Sequence, residues 1–162
     1  MLLAAGGSGC GASSQKRSEP LSAWLTFRSS ARTVNLRLIA GYNDVYGGFN
    51  FNGYGKGEVL VDIPRGWRVN VRCVNGSSNM SHSCAIVRGV GGAAPAFSGA
   101  ASPDASSGLP PHGRAAFSFI ATTVGTYRIA CLVPPHEQVG MWDVLDVTHA
   151  RAPSVVLLRR PP

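Results

Sequence analysis

Residues 128–142, RIACLVPPHEQVGMW, set a Cys, a His and a Met at intervals of five, at Cys131, His136 and Met141. The whole chain of 162 residues holds only four Cys, four His and three Met. Regular spacing of three such scarce side chains asks for a chemical reading. The run that leads into it, GTYRIAC at 125–131, alternates in character. Period-two alternation belongs to a half-buried strand and puts Tyr127, Ile129 and Cys131 on one inward face. Cys131 thus ends a strand pointing inward. Pro134 and Pro135 stiffen the loop that follows, because each ring fixes φ.

The same alternation extends outward from this stretch. In ARTVNLRLIAG, 31–41, Val34, Leu36 and Leu38 alternate with Asn35 and Arg37. Further strands are predicted at 59–63 and 67–75, joined by a turn at Pro64, Arg65 and Gly66. In the second of these, Val69, Val71 and Cys73 share a face opposite Asn70 and Arg72. SHSCAIVRGV, 81–90, reads as another strand, and 114–131 as two around a turn at Gly125. MWDVLDVTH, 141–149, closes the series. Residues 89–114 are rich in Gly, Ala, Ser and Pro and read as a surface loop. Short strands, no helical period, and 20 Gly with 11 Pro predict an all-β, antiparallel sandwich or barrel. The organisation expected is a leader and linker over 1–30, one body over 31–149, and a basic tail over 150–162.

Charge excludes some functions. Fifteen Lys and Arg oppose eight Asp and Glu, for a net +7, but the bases are scattered. No stripe of interleaved bases and aromatics marks a nucleic-acid surface, so none is expected. An acidic protein partner or anionic lipid suits the charge. The leader MLLAAGGSGC places small residues ahead of Cys10. That is similar to a bacterial lipoprotein processing site, with Cys10 lipidated and the domain held outside the cytoplasm, in the periplasm or at the outer face of the cytoplasmic membrane. A Gly/Ser-rich leader with an incidental Cys is the plain alternative. No apolar run reaches the 18 residues a spanning helix needs.

A thiolate, an imidazole and a thioether on one loop form a soft donor set. Sulfur suits Cu(I), imidazole suits Cu(II), and a type 1 copper site takes two His, one Cys and a weak axial Met. Structural zinc takes Cys and His but seldom Met. The loop supplies three donors, and a fourth must come from elsewhere. His82, at the start of the 81–90 strand, is the best placed. His112 lies in the long loop and His149 near the tail, and both are poorer. Met141 as plain core filler is the competing reading for that residue.

The C-x4-H-x4-M loop followed by Trp142 resembles the copper loop of cupredoxins. FNFNGYGKG, 49–57, is similar to a signature of their sulfocyanin branch. The resemblance spans most of the body. It implies a Greek-key β-sandwich and one type 1 copper held by His82, Cys131, His136 and Met141. It also implies electron transfer, without enzymatic turnover, in an extracytoplasmic respiratory chain. The partners expected are redox proteins such as a cytochrome or terminal oxidase, met by a monomer. Ser81 and Pro135 depart from the Pro and Gly often found before the two ligand His, which bears on loop geometry and potential.

Supporting roles are also expected. Asn75 and Ser83 are candidates to brace the site. Phe49, Phe51 and Trp142 either pack around the site or fill the core, with core filling the expected role. Cys73 and Cys84 fall on inward faces of neighbouring strands, and either form a disulfide or remain two small buried thiols. Four His are too few for a multicopper oxidase. A Cys-based hydrolase would leave Met141 and the inward Cys131 unexplained. A copper storage or delivery protein and a metal-free binding module are the alternatives.

Overall fold

A computed structural model of the chain describes residues 17–158. Nine strands form two sheets. These are β1 (Leu25–Arg28), β2 (Thr33–Ala40), β3 (Val59–Pro64), β4 (Arg68–Asn75) and β5 (Ala85–Val87). They continue as β6 (Arg114–Ile120), β7 (Gly125–Ala130), β8 (Trp142–Thr148) and β9 (Ser154–Leu157). The first sheet has the order β1-β2-β4-β6, the second β5-β7-β8-β3-β9. The helical segments among the described residues are all short 3-10 turns. The predicted all-β sandwich is therefore the observed class.

Alternation decides which side chains fill the space between the sheets. On β4, Val69, Val71 and Cys73 are buried while Arg68 and Arg72 are exposed. On β7 and the residue after it, Tyr127, Ile129 and Cys131 are buried, as their period required. Trp24, Phe51, Leu36, Leu38 and Ile63 complete the same core. Phe97 stacks on Phe119 at 5.2 Å, so the long loop closes one side of the core rather than trailing over the surface.

Three features depart from the sequence reading. The sheets are mixed, not antiparallel throughout: β2 pairs parallel with β4, and β3 parallel with β8. The cause is a crossover, since the chain leaves the first sheet after β2, contributes β3 to the second, and returns as β4. Second, two strands lie outside the 31–149 body. β1 pairs with β2, and β9 pairs with β3, so segments assigned to linker and tail complete both sheets. Each has only four residues, too few to show a period. Third, β5 spans three residues rather than ten. His82 lies before it, in an isolated bridge to Leu109. Residues 1–16, including Cys10, lie outside the described part.

Cys73 and Cys84 form a disulfide with a Cα separation of 6.0 Å. It joins β4 of the first sheet to the residue just before β5 of the second. That settles the question left open by the sequence.

Candidate metal centre

The centre sits where several chain segments end together. β7 runs out at Ala130, and the next residue is Cys131. The chain then loops over 131–141 and returns as β8, paired antiparallel with β7. Within the loop His136 N donates to Val133 O at 2.8 Å and Met141 N to His136 O at 2.9 Å. Cys131 N donates to Met141 O at 3.2 Å, which closes the loop on itself. This ring of backbone bonds draws Cys131, His136 and Met141 together.

His82 arrives from a distant part of the chain. Its N–H donates to Leu109 O at 3.2 Å, and Leu109 N returns a bond to His82 O at 2.7 Å. Asn75, buried at the end of β4, anchors both sides of that bridge. Its Nδ2 donates to Met80 O at 2.8 Å, Leu109 O at 2.9 Å and Pro110 O at 3.0 Å. A side-chain amide carries only two N–H groups, so these three acceptors share them. Asn75 thus braces the loops that present His82.

The result is a convergent donor set. One ligand atom each from His82, Cys131 and His136 lies within 4.8 Å of the others, and all three residues are buried. Cys131 Sγ is 3.4 Å from His136 Nδ1 and 4.0 Å from His82 Nδ1. Sulfur and nitrogen ligands at about 2.0–2.3 Å from one ion, roughly 110–120° apart, lie about 3.5–3.7 Å from each other. The two sulfur–nitrogen spacings bracket that range, so small shifts of the His82 side would bring the donors around one ion. Met141 is fully buried beside them on the same loop. His112 and His149 are exposed and lie outside the group.

Burial also sets the protonation of the donors. It lowers His82 to about 4, with the neighbouring His136 adding to the effect. Burial lowers His136 as well. Both imidazoles are therefore neutral near pH 7, which is the form that binds a metal. Burial pushes the Cys131 thiol up, partly offset by hydrogen bonds from Ser83 and Val133. Loading a metal must then displace the thiol proton. This set of two neutral imidazoles and one thiol, with no carboxylate and a buried Met on the same loop, fits a single type 1 copper ion.

The surroundings hold each donor in place. Ser83 N donates to Cys131 Sγ at 3.2 Å. Ser83 Oγ lies 3.7 Å from the same sulfur and accepts from Leu132 N at 2.9 Å. Phe49 meets the His136 ring edge-on, with centroids 4.8 Å apart. Phe51 lies within the core, and Phe49 does both: it packs against that core and meets the His136 ring. Glu137 is buried and pairs with Arg128 at 3.0 Å, and the Arg128 guanidinium lies 3.8 Å over the Trp142 ring. That ion pair ties the loop back to β7.

Two glycines are part of the site without any signal in the sequence. Gly41 has φ +66°, and a Cβ there would lie 2.8 Å from His82 Nε2. This nitrogen is buried without a hydrogen-bond partner, so on that side the ring is held by packing. Gly108 has φ +76°, and a Cβ would lie 2.6 Å from Val133 Cγ2. It lets the long loop lie against both His82 and the 131–141 loop. Glycines in a Gly-rich loop carry no period, and only the fold shows which of them touch the site.

Comparison with known proteins bears on the fold and on the family. The described fold is similar to that of dithionite-reduced auracyanin from the photosynthetic bacterium Roseiflexus castenholzii. The TM-score is 0.51 at 21% identity, covering 70% of this chain and 96% of that one. Rusticyanin from Thiobacillus ferrooxidans gives a TM-score of 0.50 at 21% identity, covering 78% and 88%. No curated protein matches the chain in sequence. Residues 20–156 match the sulfocyanin (SoxE) domain, so the chain belongs to the sulfocyanin family of blue copper cupredoxins.

Proposed function

We propose that this protein carries single electrons through one copper ion held by His82, Cys131, His136 and Met141, in an extracytoplasmic respiratory chain. The observation that carries the reading is the convergence of three buried donor atoms within 4.8 Å, next to a buried Met on the same loop. Bound copper would supply the exchange between Cu(II) and Cu(I). The chain's own task is to keep the donors where they are in both states, so that little rearrangement accompanies each electron. The closed ring of backbone bonds, the Asn75 anchor and the disulfide next to Ser83 all support that task.

Burial favours a carrier over a delivery protein. Cys131, His82 and Met141 are fully buried, and His136 is only 8% exposed. An exchangeable site would need an open approach for the ion. His136 is the donor nearest the surface, with exposed Pro134, Pro135 and Val139 around it. Its imidazole edge is our candidate for electron exit, and no enzymatic turnover is invoked.

The partner we infer is an acidic redox protein such as a cytochrome or a terminal oxidase. Arg72 and Arg114 are exposed on the outer face of the first sheet, and among the described residues neither forms an ion pair. Anchoring through Cys10 would hold the domain at the outer face of the membrane, as a monomer. Charge steering predicts transfer rates that fall as salt rises, and rates indifferent to salt would remove the acidic partner.

The test is copper loading of the full chain and of His82→Ala. Wild type should bind one equivalent of Cu(II) with intense visible absorption from the Cys131 thiolate, bleached on reduction. His82→Ala should lose the colour. A colourless wild type would return the domain to a metal-free binding module.

A further inference from the structure

The 49–57 segment, FNFNGYGKG, supplies no donor and lies between β2 and β3, outside both. It is nevertheless held by a dense set of hydrogen bonds. Asn50 and Asn52 are fully buried. Asn50 Oδ1 accepts from Tyr42 N at 3.1 Å and Gly53 N at 3.0 Å. Its Nδ2 donates to Asn43 O and Val45 O, each at 2.8 Å. Asn52 Oδ1 accepts from Ile39 N, and its Nδ2 donates to Arg37 O at 3.0 Å. Two buried amides spend their hydrogen bonds fixing this backbone against β2 and the turn after it.

From that fixed base the segment touches the copper loop in two places. At one end, the Phe49 ring abuts His136. At the other, Lys56 N donates to Gly140 O at 2.8 Å and Gly57 N to Trp142 O at 2.9 Å. Gly140 and Trp142 are the residues on either side of Met141. The approach is too close for side chains. A Cβ on Gly55 would lie 2.9 Å from Gly140 O, and one on Gly57 2.5 Å from the Trp142 ring. Gly57 also has φ +75°, where a side chain is strained in any case.

We propose that the 49–57 segment is a positioning clamp for the copper loop. It fixes the His136 ring and the Met141 arm relative to Cys131, and thereby sets the reduction potential of the copper held there. The inference rests on the copper reading above. The physical reason is that the axial donor and the groups around the ligands tune a type 1 site. A clamp built from buried amides and glycine contacts holds these distances without depending on the metal. The residue types follow: Asn to lock the base, Gly where backbone meets backbone, Phe to press on the imidazole.

The test compares Gly57→Ala, Phe49→Leu, Met141→Leu and the double variant Gly57→Ala/Met141→Leu with a control, Val61→Ala. Val61 is fully buried on β3, so its truncation weakens the fold without touching the loop. Wild type is first shown to take up copper; failure there sinks the copper reading and not the clamp. With copper bound, Gly57→Ala and Phe49→Leu should shift the reduction potential and the visible and EPR spectra. Val61→Ala should lower only the melting temperature. The Gly57→Ala shift should disappear in the Met141→Leu background, since coupled sites are not additive. Independently of copper, the Met141 amide of the apoprotein should exchange faster in Gly57→Ala than in Val61→Ala. If Gly57→Ala does not fold, Phe49→Leu carries the comparison alone. Spectra and potentials that match the control, or a Gly57→Ala shift unchanged in the double variant, would overturn the proposal.

Discussion

The backbone N–H of Ser83 points at the sulfur of Cys131 from 3.2 Å, and the Ser83 hydroxyl bridges the same sulfur to Leu132 N. The residue next to one candidate ligand, His82, thus hydrogen-bonds to another. A donor aimed at a thiolate draws electron density from it and favours the reduced metal. Ser83→Ala keeps the backbone bond and removes the hydroxyl. It should lower the reduction potential modestly and, by leaving Leu132 N without its acceptor, cost about 1 kcal/mol of stability. Voltammetry and denaturant melts measure the two effects; an unchanged or raised potential would contradict the role given to the hydroxyl.

Gly41 is where the fold has no room to spare. An added methyl would lie 2.8 Å from His82 Nε2, 2.9 Å from its Cδ2 and 3.1 Å from Ser77 Cβ. The left-handed backbone adds a strain of about 1–2 kcal/mol. Gly41→Ala should displace the His82 ring and weaken copper binding by roughly tenfold or more, as loss of a supporting contact does elsewhere. Competition against a calibrated chelator reads this directly. Wild-type affinity in a folded Gly41→Ala protein would show that the ring does not need the cradle.

The Cys73–Cys84 bridge closes a short loop, with a sequence separation of 11. Such a loop contributes about 3 kcal/mol through the unfolded state. Reduction, or Cys73→Ala/Cys84→Ala, should lower the denaturant midpoint accordingly. Because Cys84 follows Ser83, the visible spectrum of the copper form should shift as well. Equal midpoints for oxidised and reduced protein would be the contrary result.

Acid should destabilise the metal-free protein through its histidines. His82 titrates near 4 when folded and near 6.5 when exposed. Between those values the unfolded chain binds a proton that the native state refuses. Stability is therefore full above pH 6.5, falls as pH drops through the window, and levels off below about 4. His136, lowered by burial, acts in the same direction. The stability difference between wild type and His82→Ala should change across this window by about 3 kcal/mol at most, and by less to the extent that solvent screens the ring. A difference that stays flat with pH would mean that the ring is not desolvated.

Much of this was legible in the sequence, for a local reason. Alternation along a strand is a property of consecutive residues, so the inward faces of β4 and β7 followed from the residues themselves. So did the burial of Cys131 at a strand end. The loop that carries Cys131, His136 and Met141 is likewise continuous, and three scarce residue types at equal spacing needed no fold to be noticed. The 49–57 stretch was recognised as a signature, but nothing in its composition said what it touches.

The rest depended on contacts between distant segments. β1 and β9 are too short to have a period and exist because β2 and β3 offer them edges. The parallel pairs follow from a crossover between sheets, which no local pattern encodes. The convergence of His82 on Cys131 across 49 positions, the choice of Gly41 and Gly108 among 20 glycines, and the closing of the disulfide are likewise settled in three dimensions. Sequence fixes which face of each strand is buried and which donors are on offer. Only the packing of the two sheets decides which donors meet, because their distances are set by chain segments that are neighbours in space and not in order.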